Sequence, residues 1–438
     1  MSGPQMIPPL PGSSTPVPRG VRRRRKQADL LGLPRSAALS YLRRARETAS
    51  APNAPPESAF APSALLSWAR HYLPYVIRDK HFFPPYTACP ANAMYALLDD
   101  QGSDHVRVAL AGDWGTGTDE AFSVAKEMMK FNPHFTLHIG DVYYVGDPAE
   151  VNENCLGIRN AANNYDPVVW PVGSLGSFAM NGNHEMYANG IGYFDVLLPR
   201  LGLSRGGRML GQPTSFFCLQ NKHWRLIAVD TGYNSTGIPV LEQIPFLNKL
   251  PFIGGNCKLP DALMAWLREI VIPQPDKPDS RGIVFLSHQQ YYSGFESDFR
   301  KPARQLFAAG FKGPVLWFWG HEHRLAGYDL FGKEELQAYG RCVGHGGMPL
   351  KIEGPNRSPQ PKFWDGRKGA EELGVNGHVN LEFNGPYLQA TYVDLHGTKL
   401  VEESWAAPGD GTVQLVSCKK LISDPDFHGP LSSAEVSP

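Results

Sequence analysis

The chain has 438 residues, 42% of them hydrophobic and 11% aromatic, enough for one large domain with appendages or two modest ones around a substantial core. Lys plus Arg and Asp plus Glu both total 42, so the formal net charge is zero and composition alone points to neither a nucleic acid nor a membrane partner. Six cysteines with no Cys-x-x-Cys spacing exclude a disulfide framework and a clustered-thiolate zinc site, and read as buried free thiols.

The first 20 residues carry six prolines, and a basic run (Arg22–Lys26) and a second Arg-rich stretch (Arg43–Arg46) follow. With the Pro-rich stretch Pro52–Pro62, this predicts a disordered basic arm over 1–62. Such an arm could meet nucleic acid or an anionic surface, but it lacks interleaved aromatic residues and reads first as a solvated tail. No apolar stretch follows the basic run as in an export signal, and no run nears the ~18 apolar residues of a spanning helix. The expectation is a cytoplasmic protein without a transmembrane segment.

From Ser63 a helical lead-in over 63–103 is expected, with Leu65, Leu66, Ala69, Tyr72 and Leu73 on one face and Pro74 ending it. Val106–Ala111 suits a buried parallel strand. Ala121, Phe122, Ala125, Met128 and Met129 mark a helix capped by Thr118 or Asp119, and Phe135–Ile139 is the next strand, completing a right-handed βαβ unit. The polar segment 152–164 reads as a loop over a site. Phe216–Leu219 and Trp224–Val229 form a hairpin about Asn221-Lys222, and Asp261–Val271 a third helix. A Pro-rich connector, Pro273–Pro278, leads to the strand Ile283–Leu286, and Val315–Trp319 follows. Beyond it, Leu325–Leu330, Gln337–Val343, Val379–Phe383, Leu388–Val393 and Leu400–Trp405 are strand-like. Pro355–Lys368 reads as a surface loop and 406–438 as a tail, leaving one domain over 104–405. β and α alternate up to His323 and β dominates after it, predicting an α/β four-layer αββα sandwich.

Five apolar runs end in polar chemistry: Gly112-Asp113, Gly140-Asp141, Gly182-Asn183-His184-Glu185, Ser287-His288 and Gly320-His321-Glu322-His323. In α/β sheets ligands bind beyond the carboxyl ends of the strands. Asp113, Asp141, Asn183, His288, His321 and His323 together offer two carboxylates, an amide and three imidazoles, which suit transition metals rather than calcium. Asp141 could bridge two ions, and His321 and His323 could serve one ion or be divided between two. Such a pair activates water and clamps an oxyanion, so a dinuclear metal site at the strand ends is expected.

These five blocks resemble, in order and spacing, those of the calcineurin-like metallophosphoesterases, over about residues 104–330. Two details are similar to the purple acid phosphatase branch. Gly115 stands where most of the family carries the histidine of Asp-x-His, and Tyr144 is the third residue after Asp141. The resemblance implies that Asp113, Asp141, Tyr144 and His323 hold Fe(III), and that Asp141, Asn183, His288 and His321 hold a divalent ion (Fe, Zn or Mn). It further implies hydrolysis by metal-held hydroxide without a covalent phospho-enzyme, with His184 protonating the leaving group and Glu185 orienting it. The expected substrate is a phosphorylated small molecule, as a monoester. A phosphodiester of a nucleotide, lipid head group or nucleic acid is the alternative, and a non-catalytic scaffold the remaining one. Tyr143, Tyr291 and Tyr292 are candidates for the substrate cleft. Asp147 and Arg324 are candidates for supporting the ligands from behind, whereas His138, His223, His345 and Trp317–Trp319 read as structural.

Overall fold

The computed structural model describes residues 71–159, 167–236, 255–272, 279–333, 335–369 and 373–430. The basic arm, the lead-in helix up to Arg70, the end of the 152–164 loop and the connector Pro273–Pro278 lie outside the described residues. The first half contains β1 (Met94–Ala96), β2 (Val106–Ala111), α1 (Asp119–Lys130), β3 (Phe135–His138), α2 (Pro148–Asn154), β4 (Gly176–Ala179), α3 (Asn183–Met186), β5 (Gly202–Arg205) and β6 (Arg208–Met209). The hairpin β7 (Phe217–Gln220) and β8 (Trp224–Ala228) precedes α4 (Asp261–Trp266), β9 (Gly282–Ser287), α5 (Arg300–Ala308) and β10 (Val315–Trp319). The remainder is β: β11 (Leu325–Phe331), β12 (Ala338–Val343), β13 (Phe363–Asp365), β14 (Gly377–Asn384), β15 (Tyr387–Asp394), β16 (Lys399–Ala406), β17 (Gln414–Lys420) and β18 (Phe427–His428).

Among the described residues these strands form two nine-stranded sheets, giving a mixed α/β fold. One runs β1-β7-β8-β9-β10-β12-β11-β13-β18 and the other β17-β16-β15-β14-β2-β3-β4-β5-β6. The period-two side-chain alternation explains how the sheets are covered on both faces. In β2, Val106, Val108 and Leu110 join the core shared by the two sheets, while Ala109 and Ala111 face the other way. Those small alanines admit the apolar face of α1, where Ala121, Val124 and Met128 are buried. In β10, Leu316 and Phe318 point to the shared core, and Trp317 and Trp319 pack on the outer side with Leu263 and Trp266 of α4 and Leu306 of α5. Trp317–Trp319 are therefore strand core.

Register places the chemistry. β2, β3 and β4 are parallel, with Leu110 opposite Leu137 and Leu137 opposite Phe178. β8, β9, β10 and β12 are also parallel, with Leu286 opposite Phe318. The carboxyl ends of β2 and β3 in one sheet, and of β9 and β10 in the other, thus carry the polar motifs. Helix α1 begins as expected, the Thr118 hydroxyl accepting from the Ala121 N–H. The hairpin turn is set by Asn221, whose Oδ1 accepts from the N–H groups of His223 and Trp224.

Several elements differ from expectation. The described part of the 63–103 lead-in holds short 3-10 turns and a strand, β1, parallel to β7. Residues 152–154 end a helix rather than a loop, because Asp147 accepts from the Glu150 N–H and Pro148 opens the first turn. Residues 261–271 are α-helical only to Trp266 and then widen into a π turn. Strand β13 lies within the expected surface loop, with Phe363 in the shared core. In the expected tail, β17 pairs with β16 and β18 with β13, which buries Phe427. The six cysteines are free, and all but half-buried Cys418 are buried. Among the described residues no helix is long and apolar enough to cross a membrane.

Candidate metal centre

The turns beyond the strands carry the polar residues in a conformation most side chains avoid. Asp113, Asp141 and His321 have φ of 57°, 70° and 65°. Left-handed backbone at non-glycine residues costs about 1–3 kcal/mol and concentrates at functional sites. Two glycines permit the close approach. A Cβ on Gly182 would stand 2.1 Å from Asp141 Oδ1, so the turn before Asn183 has to be glycine. A Cβ on Gly115 would meet Val142 Cα at 2.9 Å, which closes the position where the family's histidine would stand.

Two groups of donors meet on Asp141. On one side the Tyr143 hydroxyl lies 2.8 Å from Asp113 Oδ1, 2.9 Å from His323 Nε2 and 3.2 Å from Asp141 Oδ2. On the other, His288 Nε2 lies 3.1 Å from the same Asp141 Oδ2 and 3.2 Å from Asn183 Oδ1. Asp141, His288 and His321 each offer a donor atom, all within 4.8 Å of one another. The opposite ring nitrogen of His288 faces the carbonyl of Ile139 at 2.8 Å, which aims Nε2 at the site. Asp113 Oδ2 accepts from the backbone N–H of His321, tying the β2 turn to the β10 turn.

Burial alone would raise the Asp141 carboxyl, but the His288 and His184 rings hold it well below the usual carboxylate range. Burial would lower His288, yet Asp141 and Asp113 push it up to about 10. Asp141 and His288 thus form a buried ion pair. A metal held by these two side chains would displace a proton.

Several side chains stand elsewhere than the motifs suggested. Tyr143, not Tyr144, sets its hydroxyl among Asp113, Asp141 and His323. Tyr144 packs with Tyr72, Tyr75 and Val145, and its carbonyl oxygen lies 2.5 Å from His184 Nδ1. Glu185 does not orient His184; its Oε2 accepts from the N–H groups of Asp141 (3.2 Å) and Gly182 (2.8 Å), clasping two ligand turns together. Asn154 of α2 donates to the Tyr143 carbonyl at 2.8 Å and so fixes the same turn from behind. Tyr291 does not line the site: it packs against Trp317 and bonds Glu335, and Tyr292 bonds the Ala338 carbonyl. Asp147 caps α2 and meets His71 at 2.6 Å, while Arg324 lies over the Phe295 ring. Gln289, which no pattern singled out beyond its place after His288, reaches Asn183 Oδ1 at 3.5 Å. His138 packs edge-on to Trp114 and Trp170 and His345 is buried, and burial pushes them down to about 3 and about 4, as neutral structural groups. His223 is a partly buried neighbour of Asp104.

Residues 106–325, half of the chain, match the family described as calcineurin-like phosphoesterase, and the chain belongs to that family. Among solved structures it is similar to a purple acid phosphatase from yellow lupin (Lupinus luteus) seeds, at 17% identity and a TM-score of 0.44 over 68% of this chain. The match spans 53% of the lupin chain. A dimetal phosphatase from Danio rerio is similar at 11% identity and a TM-score of 0.37, over 71% of this chain and 98% of that one. GAP50, the anchor in the inner membrane complex of Plasmodium, is similar at 15% identity and a TM-score of 0.40, over 72% and 88% of the two chains. Comparison with curated proteins gives no match.

Proposed function

We propose that this protein is a dinuclear metal-dependent phosphomonoesterase. The observation that carries the reading is Asp141 Oδ2, which stands 3.2 Å from the Tyr143 hydroxyl on one side and 3.1 Å from His288 Nε2 on the other. Asp141 thus stands between two groups of donor residues and could serve both. Asp113, Asp141, Tyr143 and His323 would hold one ion, with the phenol favouring Fe(III). Asp141, Asn183, His288 and His321 would hold a divalent Fe, Zn or Mn. Bound there, the pair would supply an activated water and neutralise phosphoryl charge.

The remaining work falls to the chain. Asp113 is held in place by the backbone N–H of His321, and Asp141 by that of His184. Glu185 and Asn154 keep the two ligand turns in register. His184 supplies the proton for the departing alkoxide. Tyr144, the third residue after Asp141 as in the purple acid phosphatase pattern, supports a monoester over a diester by that resemblance.

The test compares p-nitrophenyl phosphate with bis(p-nitrophenyl) phosphate on metal-loaded protein, with Asp141→Asn as the blank. Faster turnover of the monoester is expected; preference for the diester would move the function to a phosphodiesterase, and no turnover above the blank would favour a scaffold. The donor assignment has its own test. Iron-loaded protein should show a visible phenolate charge-transfer band that Tyr143→Phe abolishes and Tyr144→Phe retains. The opposite pattern would return the role to Tyr144.

A further inference from the structure

Helix α2 grips the turn that follows Asp141. Buried Glu150 turns one carboxylate oxygen, Oε2, back onto that turn and accepts from the N–H groups of Val145 at 2.7 Å and Gly146 at 2.9 Å. The helix itself is fixed at both ends: the Glu150 N–H donates to Asp147 Oδ1 at 2.8 Å, and Asn154 donates to the Tyr143 carbonyl. One of the gripped peptide groups has a second partner. The Val145 N–H and the Tyr144 C=O belong to the same planar amide, and the Tyr144 oxygen faces His184 Nδ1 at 2.5 Å. Glu150, a single peptide plane and the His184 ring therefore form one hydrogen-bonded chain. The same turn also lies against the His184 backbone. Gly146 has φ of 65°, and a Cβ there would stand 2.6 Å from Glu185 Cα and 3.2 Å from the carbonyl carbon of His184.

We propose that Glu150 is the positioning residue for His184, acting through the Tyr144–Val145 peptide. The proposal rests on the phosphomonoesterase reading for the role of His184 as proton donor. Because the amide is planar, its two hydrogen bonds share one orientation, so anchoring the N–H on a buried carboxylate sets the direction of the C=O. The carbonyl in turn sets the ring of His184 and with it the aim of Nε2. A charge-assisted bond to the N–H also polarises the amide and strengthens its oxygen as an acceptor, as happens along chains of hydrogen bonds. The pairing of a catalytic histidine with a carboxylate is thereby kept, with one peptide inserted between the two groups. Without Glu150, the N–H groups of Val145 and Gly146 lose their acceptor in a buried turn. The peptide plane is then released, while His184 keeps its place on α3.

The experiment compares wild type, Glu150→Ala and Glu150→Gln as metal-loaded full-length protein, glutamine keeping an acceptor oxygen on the same stem. In zinc-loaded protein, imidazole N–H NMR follows solvent exchange of the His184 Nδ1 proton. Exchange should be about tenfold faster in Glu150→Ala than in wild type, and close to wild type in Glu150→Gln. In turnover, Glu150→Ala should lower the ratio of kcat for glycerol 2-phosphate to that for p-nitrophenyl phosphate by about tenfold, since a misdirected donor costs most where the leaving group needs its proton. Glu150→Gln should bring the ratio back to within about threefold of wild type. On the His184→Ala background, Glu150→Ala should leave the ratio unchanged. Glu150→Asp, which keeps the charge but withdraws it by one methylene, carries the same expected direction and decides the matter where the alanine variant does not fold. A ratio unmoved by loss of Glu150, or lowered as much without His184, overturns the proposal, as does Nδ1 exchange that is the same with and without Glu150. If wild type turns over neither ester while Nδ1 exchange still answers to Glu150, the positioning role stands and the phosphomonoesterase reading falls.

Discussion

Replacing His184 with alanine is expected to lower turnover of an alkyl phosphate monoester by about 10²–10⁴-fold while leaving the metal content unchanged. The geometry assigns the proton. His184 Nδ1 lies 2.5 Å from the Tyr144 carbonyl oxygen, which can only accept, so Nδ1 carries a hydrogen. Nε2 is therefore the nitrogen that gains and gives a proton, and it points toward the site, 3.9 Å from Asp141 Oδ2. The other tie from this residue is its backbone N–H to Asp141 Oδ1 at 3.0 Å, which alanine keeps. The Asp141 carboxylate should thus stay in place, and with it any ions it holds. The loss should also depend on the ester. An alkoxide needs a proton to leave, whereas p-nitrophenolate hardly does, so His184→Ala should slow an alkyl ester far more than p-nitrophenyl phosphate. Metal analysis alongside kcat for both esters checks this. Equal, small losses on the two substrates would remove His184 from proton transfer.

The polar turns beyond the strands were legible because each follows a continuous apolar run, and a strand buried on both faces must look like that. Ala109 and Ala111 show the limit of the same signal: they announce a buried strand, but not that their small size is what admits α1. No spacing contains which of two adjacent phenols stands nearer Asp113; in the fold it is the Tyr143 hydroxyl. Glu185 was misread as the orienter of His184 because adjacency in sequence suggested contact, whereas its carboxylate turns back to the N–H groups of Asp141 and Gly182. Strand β17 escaped notice because it is an edge strand with little full burial, and β13 and β18 are too short to carry a period. The pairing of Arg341 with Glu403 is separated by 62 residues and joins two sheets, so only the fold could reveal it.

That pair should govern stability. Glu403→Leu is expected to destabilise the protein by about 3–5 kcal/mol, and the double replacement Arg341→Met with Glu403→Leu to recover most of the loss. Arg341 of β12 and Glu403 of β16 are both fully buried and meet through two bonds, 2.8 and 2.7 Å, across the core between the sheets. The Tyr392 hydroxyl donates to Glu403 at 2.8 Å, and Arg341 Nη1 donates to the carbonyls of Tyr328 and Gly340. Burial disfavours the guanidinium, but Glu403 more than compensates and raises its pKa above the ordinary arginine value. Removing Glu403 alone leaves a desolvated cation whose two carbonyl contacts do not neutralise it. Removing both groups exchanges an ion pair for apolar packing against Trp405 and Phe363, whose rings already lie 5.0 and 5.6 Å from the guanidinium carbon. Exposed Lys130 with Glu127 offers the contrast: Lys130→Ala should change stability by no more than about 1 kcal/mol, because water already screens that pair. Urea denaturation of the four variants in the Arg341–Glu403 cycle measures the coupling directly. A double variant no more stable than Glu403→Leu alone would show that the loss comes from the packing left behind rather than from the stranded charge, since filling the site with two apolar side chains would then have restored nothing.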